Sequence, residues 1–164
     1  MTRIPHIDIG SSNIDDRTTE DVAGLVEPAI RETVVAAKLR FPEQAELSIL
    51  LADDTKLREL NHNWRKIDKA TNVLSFPGED VEPGQDGGMF LGDIAISIET
   101  TNREAVLENK RFNDHFTHLI VHGFLHLFGY DHENESQAMQ MEALETAILA
   151  KLGIADPYEN GQTQ

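Results

Sequence analysis

Apolar residues along the chain follow two periods, and the switches between them mark out the elements. Ile7 and Ile9 alternate with polar neighbours and predict a first strand. Over 18–39 the positions Val22, Leu25, Val26, Ala29, Ile30 and Val34 recur at helical spacing, which predicts an amphipathic helix. Pro28 lies inside that stretch and lacks a backbone donor, so a kink or a late start is expected there. Pro42 breaks the chain, and the alternation of Leu47, Ile49 and Leu51 predicts a strand over 46–52. Asp53 or Asp54 is placed to cap a short helix carrying Leu57, Leu60 and Trp64. A compact strand over 73–76 stops at Pro77 and Gly78, and the acidic, glycine-rich stretch 78–88 reads as a mobile loop. A strand over 90–98 places Ile94, Ile96 and Ile98 on one face. Helices follow over 101 to about 108, over 111–128 and over 136–152, with Gly129 and Gly153 as the stops of the last two. The polar tail 157–164 is expected to fray.

Strands and helices interleave without a regular βαβ series, so the pattern predicts one α+β (mixed α/β) domain over 1–164, with about four strands and several helices. At 164 residues the chain is long enough for a full core. Cysteine is absent, which excludes disulfides, thiolate ligands and a cysteine nucleophile. The 29 acids against 14 bases give a formal charge of −15, which favours solubility and argues against nonspecific coating of DNA. No signal-peptide core is visible at the start, and no apolar run reaches the roughly 18 residues of a membrane span, so a cytoplasmic protein is expected.

The candidate chemistry lies near the C-terminus. Five of the seven histidines fall between His115 and His132. His122 and His126 are four apart, so on a helix their rings share a face and can reach one metal ion. His118 lies on the same stripe but stands about 12 Å from His126 along the axis, too far for one ion to bind both. The third ligand must come from off the helix, and a turn at Gly129 lets His132 swing back. Three imidazoles without cysteine suit an open, catalytic site; Asp131 would either orient a histidine or close a fourth position. His115 and His118 are read as helix-surface residues or as residues behind the ligands, and His6 and His62 as having no such role. The spacing H-x-x-x-H-x-x-G-x-x-H matches metzincin peptidases, but Gly123 stands where those carry the glutamate base, which counts against peptide hydrolysis.

A second feature is a basic segment in this acidic chain. Lys56, Arg58, Arg65, Lys66 and Lys69 face only Glu59 and Asp68, whereas 79–93 holds five acids and no base. Such a patch attracts phosphate, and Arg65 is the best candidate for a bidentate contact. Trp64 is suited either to stacking on a base or, more commonly for an only tryptophan, to anchoring its helix in the core.

Three blocks then resemble the YbeY family of bacterial endoribonucleases: 61–77, from Asn61 through Trp64, Arg65, Asp68 and Asn72 to Pro77; 91–97, Leu-Gly-Asp-Ile-Ala-Ile-Ser; and 122–132, from His122 through Gly123, His126, Gly129 and Tyr130 to His132. Asn72 stands where the family often has aspartate. The resemblance implies a zincin-like domain with a mixed four-stranded sheet and about five helices. It implies one zinc ion on His122, His126 and His132, with Arg65 and His122 tied to activity. The implied substrate is single-stranded RNA, and the implied roles are 16S ribosomal RNA 3′ end maturation and ribosome quality control at the small subunit, without DNA or membrane partners. Two alternatives stand beside it: a ribosome assembly factor with a purely structural zinc, and another zinc metallohydrolase. The proton acceptor is unassigned, and product end groups would separate metal-hydroxide attack from attack by the substrate 2′-OH. Thr71, Ser75, Asp93 and Ser97 are expected to serve caps, turns or strand ends.

Overall fold

The computed structural model describes residues 2–159. Four strands and five helices follow one another as β1 (His6–Ser12), α1 (Asp16–Ala37), β2 (Glu46–Ala52), α2 (Asp54–Arg65), β3 (Val73–Pro77), β4 (Phe90–Ser97), α3 (Ile98–Leu107), α4 (Phe112–Leu127) and α5 (Glu135–Lys151). The strands form one mixed sheet in the order β1-β2-β4-β3, parallel except for the β3–β4 pair. This is the α+β domain expected from the pattern.

Alternation along the strands divides the sheet between two layers. Leu47, Ile49 and Leu51 of β2 and Ile94 and Ile96 of β4 are buried in the main core with α1, α4 and α5. Ala52, Leu74 and Ala95 pack with Leu57 of α2 in a second, smaller cluster. Helix α2 is capped by Asp53, whose side chain accepts from the Lys56 N–H. Helix α1 is capped by Asp15 and is continuous through Pro28. The Gly24 carbonyl that Pro28 leaves without a donor lies, like Pro28 itself, on the exposed side, open to solvent.

Three local expectations are corrected. Helix α3 begins at Ile98, because Ser97 caps it and also donates to Asp54 across 43 residues of sequence. The loop over 78–88 is tethered: Arg40 bonds the Asp86 carboxylate and the Gly84 carbonyl, and Gly87 N–H bonds the Arg40 carbonyl. In the tail, 157–159 form a turn rather than fraying, with Pro157 buried; 160–164 lie outside the described residues.

Helix α4 is the centre of the domain. Most of its residues between His115 and Leu127 are buried. Gly123 is its point of closest approach to the sheet: a Cβ there would come within 3.1 Å of both Ile94 Cγ2 and Ser75 Oγ, and Ser75 Oγ donates to the Gly123 carbonyl. The position that holds the base in metzincins is therefore spent here on packing. Installing that base by Gly123→Glu would crowd Ile94 and Ser75, which would have to give by a few tenths of an ångström, and would set a carboxylate against an apolar part of the sheet. It is expected to lower the urea midpoint by an amount equivalent to about 2 kcal/mol or more.

Candidate metal centre

The end of α4 and the turn after it bring the three predicted imidazoles together. His122 and His126 face the same way from successive turns, and their Nε2 atoms stand 3.0 Å apart. Gly129 ends the helix at φ +91°, and the space a Cβ would need there is filled by the Val81 carbonyl of the acidic loop. The chain then returns through buried Tyr130, whose N–H bonds the Leu125 carbonyl. Asp131 Oδ1 accepts from the His132 N–H at 2.8 Å and so fixes the turn. The His132 ring ends 5.2 Å from that of His126 and 5.7 Å from that of His122, centroid to centroid. One nitrogen from each ring lies within 4.8 Å of the other two.

Behind this cluster lies a residue the sequence analysis did not single out. Glu145 of α5 has no exposed surface. Its Oε2 takes the His122 Nδ1–H at 2.9 Å, and its Oε1 takes the Tyr158 hydroxyl at 2.6 Å and the His118 Nε2–H. Sequence carried one signal for it: Glu145 falls on the stripe of Met141, Ile148 and Leu149, where a carboxylate needs a buried partner. His118, read as a surface residue or one behind the ligands, takes the second place and is buried. His115 is likewise buried and bonds Glu104, which also accepts from Asn72.

Burial and hydrogen bonding ready His126 and His122 to donate lone pairs. Burial, together with His122 and His132, pushes His126 down to about 4, so it is neutral at pH 7. With Nδ1–H committed to Glu145, His122 presents the lone pair of Nε2 toward His126 and His132. Two imidazoles on one tetrahedral zinc place their nitrogens about 3.3 Å apart, close to the separation seen here. The donor set thus fits a metal ion. The neighbouring group of His118, His122 and Glu145 also has its ligand atoms close together, but these atoms are spent on one another and on Tyr158.

The imidazoles line an open cleft of about 690 Å³. Arg65, the last residue of α2, lines the same cleft, so the fold unites the basic segment with the histidine cluster. Among the described residues Arg65 has no carboxylate partner, whereas Arg58 is held by Asp68 through two hydrogen bonds. Glu79, Asp80, Asp131 and Glu133 line the cleft as well, and Arg65 is its one Lys or Arg. Ser75 ties α4 to the sheet and Ser97 caps α3, as expected of them. Trp64 departs from the commoner expectation, being 70% exposed.

Fold and cleft together define an α+β domain with a histidine-rich candidate metal centre. Comparison with known proteins narrows this. The sequence profile described as "Endoribonuclease YbeY" matches residues 10–153, and the chain belongs to the YbeY endoribonuclease family. It is 59% identical over 119 residues to Endoribonuclease YbeY of Agrobacterium fabrum, covering 72% of this chain and 71% of that protein. It is 52% identical over 141 residues to the protein of that name from Rhizobium johnstonii, covering 85% and 81%. Among solved structures, the solution structure of TM1509 from Thermotoga maritima superposes with a TM-score of 0.53 at 20% identity, over 92% of this chain and 97% of that one. At that identity it supports the fold alone.

Two predictions follow from Glu145 and its partners. Glu145→Ala is expected to weaken metal binding about 10- to 100-fold in a chelator competition, because His122 loses the acceptor that fixes its tautomer. The second concerns acid. Burial lowers His118 and His126, and the hydrogen bonds to His118 and His122 hold Glu145 well below the usual carboxylate range. In each case the unfolded chain binds a proton before the native one does, so native stability is whole above about pH 6.5 and falls as the pH drops toward 4. Thermal scans of metal-free protein should show a falling midpoint across that window; a flat profile would contradict the assignment.

Proposed function

We propose that this chain is a zinc-dependent endoribonuclease that cuts single-stranded RNA. His122, His126 and His132 hold the ion, and Arg65 and His122 are the residues on which cleavage depends. The observation that carries this reading is the shared cleft, in which an unpaired guanidinium faces the same open volume as three clustered imidazoles. The relatives named Endoribonuclease YbeY supply the class of substrate. On this reading the reaction belongs to the cytoplasm, to 3′ end maturation of 16S ribosomal RNA and to quality control at the small subunit, with the resemblance to the YbeY family as its support.

When bound, zinc supplies an acidified water and Lewis-acid polarisation of a phosphoryl oxygen. The chain's own residues do the rest. Glu145 holds the His122 ring so that Nε2 faces the cleft. Arg65 is free to bind two oxygens of the scissile phosphate through its planar fork and to offset the negative charge that builds during cleavage.

The structural-zinc alternative needs a closed site. Asp131 is the candidate to close it, but its Oδ1 is held by the His132 N–H and lies 4.0 Å from His126 Nδ1. The alternative of another zinc metallohydrolase, a peptidase included, has to take its base from elsewhere than position 123, where close packing favours glycine.

With a labelled single-stranded RNA, Arg65→Ala is expected to cut at least about 100-fold more slowly than the wild type, the scale of losing one preorganised charge-stabilising group. Its metal content and melting temperature should stay close to wild type, because Arg65 is exposed and forms no ion pair. His122→Ala should lose both metal and cleavage. Cleavage that survives in Arg65→Ala at full rate would remove that residue from the reaction. A fully metallated wild type that cuts no RNA would overturn the reading.

A further inference from the structure

An apolar groove of about 350 Å³ lies beside the cleft and has no part in the chemistry above. Its walls are Leu60 and Trp64 of α2, Phe76 and Pro77 of β3, and Phe90 and Asp93 of β4. The aromatic rings are open to solvent: Trp64 is 70% exposed and Phe90 42%. Trp64 and Phe76 stand 6.3 Å apart with their planes tilted by 57°, a corner of two faces. Helix α2 covers this side of the sheet incompletely, and folding alone leaves these rings unpartnered.

Three observations say what the groove takes. First, it is continuous with the cleft. Pro77 lines both, and Arg65 of the cleft directly follows Trp64 of the groove. Second, charge points a polyanion this way. Arg65 and Lys69 have no carboxylate partner among the described residues, and Lys66 bonds only the Asn63 carbonyl, whereas the other charged side chains that line the cleft beside Arg65 are the acids Glu79, Asp80, Asp131 and Glu133. Third, the one charged residue lining the groove is Asp93, which suits the N–H edge of a base and repels a phosphate.

We propose that the Trp64–Phe76–Phe90 groove is a stacking subsite for a base that flanks the cleaved bond of a single-stranded RNA. This inference rests on the endoribonuclease reading. The backbone follows the cations at the end of α2, and the base turns onto the aromatic faces, which accept any base because every base has a π-face.

Trp64 is the only tryptophan, so its fluorescence reports on the groove directly. Adding an unstructured ten-residue oligoribonucleotide to the metal-loaded protein should quench it. Trp64→Ala is expected to raise KM for that oligonucleotide about tenfold, as loss of one stacked base does, with kcat retained. Trp64→Phe should restore KM. The exposure of Trp64 means these variants should fold as the wild type does. Normal cleavage with unchanged KM in both Trp64→Ala and Phe90→Ala would overturn the subsite and leave the endoribonuclease reading intact. Dissociation of a dimer by those variants, seen by sedimentation with KM unchanged, would assign the groove to a second copy of the chain and overturn it equally. Failure of the metal-loaded wild type to cut any RNA would bring down both readings together.

Discussion

The arrangement of the whole C-terminal half turns on one buried anion. A carboxylate with no access to water is tolerable only when donors surround it, since an unpaired buried charge costs several kcal/mol. Glu145 meets three, from His118 and His122 on α4 and from Tyr158 beyond α5. Each partner is constrained in return. The two helices are locked in register, the turn over 157–159 is drawn against them, and the His122 ring is held in one tautomer. Burial, together with the same anion, pushes the Tyr158 hydroxyl well above its usual range, which keeps it protonated as a donor. A neutral side chain of similar size would pack in the same space without imposing any of this.

The stretch from β2 to the start of α2 was legible because its signals are local. Alternation set the strand over 46–52, and the Asp53–Asp54 pair offered the cap, which Asp53 supplies. The start of α3 was not, because its capping serine is itself held by Asp54 from a distant part of the chain. The three clustered histidines were legible because helical spacing and a glycine turn fix where the rings go. Whether Arg65 joins them depends on how α2 lies beside β3, which is tertiary geometry with no sequence period. Trp64 illustrates the limit of composition: a lone tryptophan usually sits in a core, and here its helix is set with that side outward.

A chain of charge −15 would handle a polyanion poorly if its charge were spread evenly. It is not. Lys56 and Arg58 are engaged by Glu59 and Asp68, and the cations toward the end of α2 keep clear of carboxylates. Of the acids in the tethered loop over 78–88, Glu79 and Asp80 line the cleft, while Asp86 is paired with Arg40. The outcome is a directional field, in which contact with phosphate falls on few groups and is sensitive to salt.

The contact at Gly123 also bears on how such a protein changes over generations. A single exchange that brings in the metzincin glutamate meets the sheet before it meets any substrate. Room would first have to be made at Ile94 and Ser75, two positions on different strands where a smaller side chain brings no advantage while glycine remains. The order of the steps therefore matters, and every order begins with a loss. A change of one letter at this position is thus felt first by the sheet and only afterwards by the chemistry.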